Sequence, residues 1–368
     1  MRHTFFLLPF LLLTSVSVIG QSTNQLMFVS SGNAENNAGI FVYNLDLENQ
    51  RIELKHKTEE VASSSYLTLH PKKPFLYSVA NNKVSAFGIN KKDGSLSLIN
   101  EQTTGGKGPC YVSVDKTGRW AFVANYSGGN IAVFPVQRDG SLSAAKQVID
   151  HQGSSVNPDR QKGPHPHMIT TSPNNRFVLV PDLGADKIFV YRFDDKKGSL
   201  QANDFPFVKA HPGAGPRHLE FHPGKNFCYV INELNATVST YKWDPAKGIL
   251  TELQTINTLP PDFKEFNKSA DIHLTKNGHY LYATNRGHNS LASFRVQADG
   301  SLQAVGHHPS GGEFPRNFYV LSDSQLITAN RQTGNMVVFD INPKTGELKS
   351  RSEIGGVMGA QCIKVWGG

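Results

Sequence analysis

One unit recurs along this chain, and the copy at residues 215–250, GPRHLEFHPGKNFCYVINELNATVSTYKWDPAKGIL, is complete enough to define it. It opens on a Gly-Pro turn, runs through a short alternating segment, HLEFH, turns at Pro223-Gly224-Lys225-Asn226 and continues apolar over 227–231. Asn232-Glu233 ends that run, 237–243 alternates again, and Asp244-Pro245-Ala246-Lys247-Gly248 turns into a fourth segment at Ile249-Leu250. Alternating apolar runs bounded by Gly, Pro, Asn and Asp predict strands joined by tight turns. Four antiparallel strands in about 45 residues make one propeller blade. A single blade leaves both faces unburied, so a chain of blades is driven to close into a ring.

The count reaches seven. Segments 27–30, 39–44 and 51–54 form an incomplete first blade, and further copies span 65–98, 108–142, 163–200, the defining unit, 270–302 and 314–348. The leucine that ends the turn into each fourth strand falls at 96, 142, 200, 250, 302 and 348, at spacings of 46, 58, 50, 52 and 46, with Leu54 preceding the first by 42. The expected fold is an all-β, seven-bladed propeller of four-stranded antiparallel blades. Ala360–Trp366 has no blade after it and is expected to lie beside blade one, where it removes the open edge. The longest spacing carries an insertion at about 147–162, a rim or lid beside the segment GPHPH.

Ahead of the repeats, Arg2 and His3 precede an apolar run over 5–19 that ends at small Gly20. The run is shorter than the ~20 apolar residues of a membrane span and reads as a secretory signal peptide, 1–20. That leaves 21–368 as one exported domain, periplasmic or secreted, with no stable membrane insertion. The formal charge of +7, or +6 without Arg2, is dispersed, and no Lys/Arg run marks a nucleic-acid surface. A modest basic excess suits an anionic small-molecule substrate. Three cysteines, Cys110, Cys228 and Cys362, sit in apolar surroundings and read as buried free thiols rather than as a catalytic nucleophile.

The repeat register locates a site. The first strand of each blade lines the axial channel and the second runs antiparallel to it, so strand-one starts and strand-two ends share one face. Strand-one starts contribute His165 and His167 (GPHPH), Arg217 and His218 (GPRH) and Arg316 (FPRN). Strand-two ends contribute Asn125-Tyr126, Asp182, Asn232-Glu233, Asn285-Arg286 and Asn330-Arg331. Arg217 can grip a carboxylate or phosphate or stabilise an oxyanion, or else only pair with Glu233 across adjacent strands. Glu233 can act as a general base or as that structural partner. Alternation with proline puts His165 and His167 on one side of an extended segment, one as acid/base and the other as a hydrogen-bonding wall, or as a satisfied buried histidine. Arg286 and Arg331 repeat one NR dipeptide, which a shared structural role also explains, and Asp182 can tether the Gly184 turn. The candidate catalytic set is His165, His167, Arg217, Glu233 and Arg286. The candidate substrate-binding set is Asn125, Tyr126, Asp182, His218, Asn285, Arg316 and Arg331. An arginine-rich funnel is a poor cation site, so no metal and no cofactor are expected.

GPHPH followed by RFVLVPDLGADKIFVYRF, then GPRHLEFHPGKNFCYVINEL, then ATNRG with its DGSL turns, resembles the propeller lactonase family, which includes propeller-type 6-phosphogluconolactonases and a fungal carboxymuconate cyclase. The resemblance spans about 25–366. For its cyclase branch it implies a His, two Arg and a Glu at the channel mouth, matched here by the GPHPH histidines, Arg217, Arg286 and Glu233. It also implies hydrolysis of a sugar lactone, with Arg217 and Arg286 holding a carbonyl oxygen or carboxylate and Glu233 or a GPHPH histidine activating water. The signal peptide departs from the phosphogluconolactonase pattern and points to an unphosphorylated aldonolactone. A muconate-type lactonising cycloisomerase and a non-catalytic ligand-binding propeller stay open.

Overall fold

A computed structural model describes residues 25–32, 38–46, 49, 51–58, 61 and 63–367; the expected signal peptide, 1–20, lies outside them. The described residues form seven four-stranded antiparallel sheets and no helix. Blade five runs outward from the axis as Pro216–Phe221, Phe227–Asn232, Thr237–Asp244 and Ile249–Asn257. The burial of its strands follows from their place. The second strand, FCYVIN, is sandwiched between neighbouring blades and is apolar almost throughout, whereas the outermost is exposed or half-buried except at Leu250. Blades one to five share one continuous apolar cluster, and three more complete the ring.

Ala360–Trp366 closes the ring as the innermost strand of blade one, paired with Gln25–Ser31 from Leu26 opposite Trp366 to Ser31 opposite Ala360. The turn leucines keep their register in blades two and four to seven, where they face Ile89, Phe193, Trp243, Val296 and Ile341, and Leu142 bridges Val136. Blade one corrects the reading. There Ile52 faces Leu45, and Leu54 is 55% exposed, like Leu98 of blade two at 41%. Two residues along a strand share a face, but only the one beside the turn reaches the neighbouring blade.

Blade four departs from the regular pattern. Its innermost strand is only Thr170–Thr171, and GPHPH joins the sheet through a single Pro166–Asp182 bridge, because Pro164 and Pro166 have no N–H to give the ladder. His167 N still donates to Pro181 O at 3.0 Å, and Leu183 N to His165 O at 3.0 Å, so the segment stays extended. Within the expected insertion, Gln147–Asp150 is the outermost strand of blade three, and the rest is a loop anchored by buried Gln161, whose Nε2 donates to Leu183 O at 2.8 Å.

Candidate active site

Three blades enter the channel in the same way. Gly108, Gly215 and Phe314 hold φ of +60°, +65° and +61°, each just before a proline. The pairing register then shifts by one residue, so Cys110, Arg217 and Arg316 are left out of the ladder and re-aimed towards the axis. Two blades use glycine for this left-handed position. Phe314 takes it at a cost of roughly 1–2 kcal/mol, and its ring lies 5.3 Å from the Arg286 guanidinium.

Strand-two ends sort by alternation. Asn125, Asn285 and Asn330 turn into the protein, where their Nδ2 groups donate to Thr104 O at 3.1 Å, Thr258 O at 2.7 Å and Ser310 O at 3.1 Å. Asn232 does the same to Thr237 Oγ1 at 2.9 Å. The next residue in each case, Tyr126, Arg286, Arg331 or Glu233, then faces the other way, into a cleft of about 410 Å³ at the channel mouth. Arg160, His167, Lys268, Phe314, Arg316 and Cys110 complete the part of its wall that carries chemistry.

Glu233 is the hub. Its Oε1 accepts from Arg160 Nη2 at 2.7 Å and its Oε2 from Arg286 Nη2 at 2.7 Å, with Arg217 Nε 3.1 Å from Oε2. Burial alone would raise its pKa; the Arg286 and Arg217 charges and the Arg160 hydrogen bond overcome this and hold it well below the usual carboxylate range. A carboxylate this well satisfied is a weak proton acceptor. Burial pushes the Arg286 pKa down to about 10, against the pull of Glu233, which leaves it a cation at neutral pH.

His167 is the opposite case. It is buried, and burial, followed by the charges of Arg217 and other nearby cations, lowers its pKa well below the ordinary value, so the imidazole is neutral. Among the described residues its Nδ1 has no hydrogen-bond partner. Its ring meets Tyr126 at 5.5 Å and His218 at 5.2 Å. His165 stacks on Tyr126 at 4.5 Å, donates from Nδ1 to Tyr126 O at 2.8 Å, and does not line the cleft.

The structure brings Tyr126, His167, Glu233, Arg286, Arg316 and Arg331 of the expected residues to the cleft wall. Arg217 is not on it: 1% exposed, it lies behind Glu233 and donates to Ala270 O. His218 lies deeper in the channel, its Nδ1 2.7 Å from Asp271 Oδ1. Burial, then Arg217, pushes its pKa down to about 3 against the pull of Asp271. Asp182 is consumed by its own turn, where Oδ1 accepts from His165 N at 2.7 Å, Gly184 N at 3.1 Å and Ala185 N at 3.0 Å and Oδ2 meets His151 Nδ1 at 2.7 Å. Asn125 and Asn285 are likewise absent from the wall, spent on backbone carbonyls. The three cysteines are free, but Cys110 is only half-buried, because the strand irregularity aims it at the cleft.

Three charged or aromatic wall residues, Arg160, Lys268 and Phe314, were not among the expected site residues. Arg160 comes from the insertion loop and also donates to Tyr126 Oη at 3.1 Å. Lys268 opens the innermost strand of blade six, two residues before the segment read as its start, and Phe314 is the first residue of the FPRN motif, of which only Arg316 was singled out. Register could have found Lys268, since it faces Arg286 at the end of strand two.

The same architecture and length occur in known proteins. The chain is 33% identical to the 6-phosphogluconolactonase of Bacillus subtilis over 349 residues, 93% of this chain and 98% of that one. It is 32% identical to the 6-phosphogluconolactonase of Formosa agariphila over 92% of this chain and 99% of that one. The structure of PpgL, the periplasmic gluconolactonase of Pseudomonas aeruginosa, superposes with a TM-score of 0.87 at 32% identity, covering 93% of this chain and 98% of that one. The model of the family described as lactonase, 7-bladed beta-propeller, matches residues 25–365. With the ring, the channel-mouth cleft and the whole-length matches agreeing, the chain belongs to the seven-bladed β-propeller lactonase family.

Proposed function

We propose that this protein hydrolyses the ester ring of a sugar lactone in the cleft between His167, Glu233 and Arg286. The observation that carries the reading is the division of labour among the ionisable groups. Glu233 is ionised and fully engaged, so it fixes arginines rather than moving protons, while His167 is neutral with an unpartnered Nδ1. In the proposed step His167 takes a proton from water as the water oxygen bonds to the lactone carbonyl carbon. Arg286, held by Glu233, donates to the carbonyl oxygen as it gains negative charge. Collapse breaks the bond to the ring oxygen, which recovers the proton from His167, and the product is an open-chain sugar acid. A histidine of lowered pKa is a weak base, and that suffices for an ester that opens slowly even without help. Arg217 supports Glu233 from behind and makes no contact with substrate in this scheme.

The names of the relatives, 6-phosphogluconolactonase and gluconolactonase, support a sugar lactone as substrate. The apolar run at 5–19 and the periplasmic relative support export, which belongs to the same proposal. A muconate-type cycloisomerase is the second reading, because an arginine-rich wall also suits a dicarboxylate. The test is pH-stat hydrolysis of a lactone panel by wild type, His167→Asn and Arg286→Gln, with the spontaneous rate subtracted. Wild type should accelerate at least one lactone, and each folded variant should lose about 100-fold or more in kcat. No acceleration of any lactone, or a His167→Asn variant at wild-type rate, overturns the reading and makes a muconate assay the next step.

A further inference from the structure

We propose that Tyr126 is a further catalytic residue, whose hydroxyl donates a hydrogen bond to the ring oxygen of the lactone as that oxygen leaves. The role rests on the lactonase reading. There His167 takes a proton from water and later hands it to the ring oxygen, and no donor covers the charge that builds on that oxygen in between. Tyr126 lines the cleft and is half-buried. Its Oη accepts from Arg160 Nη2 at 3.1 Å, and the same nitrogen donates to Glu233 Oε1 at 2.7 Å. A guanidinium can only donate, so the phenol keeps its own proton to give. Among the described residues that proton has no acceptor. Glu233, the one carboxylate among the described residues of the wall, is already engaged by Arg160, Arg286 and Arg217. Burial raises the phenol pKa above its ordinary value, against the pull of Arg160, so the hydroxyl is protonated at neutral pH. An oxygen that accepts from a cation makes its own O–H a stronger donor.

Three side chains fix the phenol. His165 stacks on its ring at 4.5 Å with 11° between the planes, and its Nδ1 donates to Tyr126 O at 2.8 Å. His167 meets the ring edge-on at 5.5 Å, and Arg160 holds the hydroxyl. The first histidine of GPHPH, which does not line the cleft, is thereby a positioning residue, and so is the arginine of the insertion loop. Packing between two histidines would be served as well by phenylalanine; the hydroxyl is what the cleft receives. Tyr126 follows the second strand of blade three, His167 precedes the first strand of blade four, and Arg286 ends the second strand of blade six. Passing round the ring from Tyr126 to Arg286, His167 therefore comes between them. The two oxygens of an ester lie on opposite sides of its carbonyl carbon. A carbonyl carbon in front of His167 thus turns one oxygen towards each donor, the carbonyl oxygen to Arg286 and the ring oxygen to Tyr126. Tyr126 gives up no proton: the one that His167 took from water ends on the ring oxygen, and the phenol covers the charge while the C–O bond breaks.

The test is Tyr126→Phe in the full chain, on the lactone that wild type accelerates most and on its thiolactone analogue, which differs in the one ring atom. Phenylalanine keeps both ring contacts, and a thermal melt checks that the variant is folded. On the lactone, kcat should fall about tenfold or more while KM stays within about threefold of wild type, the pattern of a bond made only in the transition state. A smaller loss in kcat, or a loss carried by KM, overturns the proposal. A ring sulfur accepts hydrogen bonds weakly and leaves as a thiolate, so the loss on the thiolactone should be smaller by about fivefold or more. An equal loss on both means that Tyr126 anchors the loop or serves the carbonyl oxygen, and the proposal fails. His165→Leu, which leaves the hydroxyl in place but unstacked, should show the same contrast between lactone and thiolactone at smaller size, and it supplies the result if Tyr126→Phe does not fold. The same loss on both substrates in His165→Leu overturns the positioning role. A wild type that accelerates no lactone removes the lactonase reading, whereas an active wild type matched by Tyr126→Phe removes Tyr126 alone.

Discussion

Glu233→Gln separates a carboxylate that neutralises arginines from one that moves protons. The substitution keeps shape and removes one charge from among three guanidinium groups, with N···O distances of 2.7, 2.7 and 3.1 Å. At an effective dielectric of about 20, a pair of unit charges some 4 Å apart gains about 4 kcal/mol before desolvation is subtracted. Desolvation of Glu233 and repulsion among the arginines offset much of the threefold sum. Removing one partner from a buried pair costs about 3–5 kcal/mol in comparable cases, and that is the expected destabilisation at pH 7. The sign with pH follows from the depressed pKa. An ionised Glu233 contributes fully above its unfolded value of about 4.3 and loses that contribution as pH falls towards its folded value. The gap between wild type and variant should therefore stay constant from about pH 6 to 8 and narrow below about pH 4. Equilibrium urea unfolding reads both, since guanidinium salt would screen the charges. A gap under about 1 kcal/mol at pH 7, or one unchanged at pH 3, would refute the assignment of Glu233 as the neutralising hub.

Three further outcomes follow from the same geometry. Because His167 is held neutral by burial and nearby arginines, kcat/KM for the accelerated lactone should stay flat through about pH 6.5 and fall only at lower pH; an acid limb at or above about 6.5 counts against His167 as the base. Phe314→Gly should be more stable than Phe314→Ala, the reverse of the usual order, because glycine removes the cost of a φ of +61°. Both should lose activity with the ring beside Arg286, and thermal melts that rank alanine above glycine exclude the strain. Burial pushes the thiols of Cys110 and Cys362 up to about 12 and 11 and raises that of Cys228 as well, so native protein at pH 8 should resist iodoacetamide and unfolded protein should take three labels by mass spectrometry. Rapid native labelling at Cys110, the thiol on the cleft wall, contradicts that shift.

The ring was legible because its signals are local. A leucine beside each turn, apolar second strands and proline at strand starts recur in the sequence, and Ala360–Trp366 could only be an edge partner. Leu54 misled because Ile52 shares its face, and alternation alone does not say which of the two meets the next blade. The site was legible to within one residue. Asn125 and Asn285 share a strand end with Tyr126 and Arg286, yet each asparagine bonds inward while its neighbour faces the cleft. Arg217 and Arg316 occupy the same place in the repeat, and their surroundings decide their exposure: Glu233 of its own blade and Ala270 of the next cover Arg217, while among the described residues nothing comparable covers Arg316. Arg160 carried no signal, since the path of an insertion loop is set by tertiary contacts such as Gln161 with Leu183 O.

The pairing of Leu26 with Trp366 also sets a schedule for folding. At a synthesis rate of about 5–20 residues per second, the partner of the first strand emerges roughly 20–70 s after it. Through that interval blades two to seven can form in order, each against the one before, while residues 25–31 carry an unsatisfied strand edge. Ring formation is then the last event of blade assembly. A circular permutant cut in the exposed turn at Lys91-Lys92, with 25 and 366 joined by a short linker, would let blade one form as a local hairpin and move the late pairing to Lys83–Ile89 with Leu96–Thr103 in blade two.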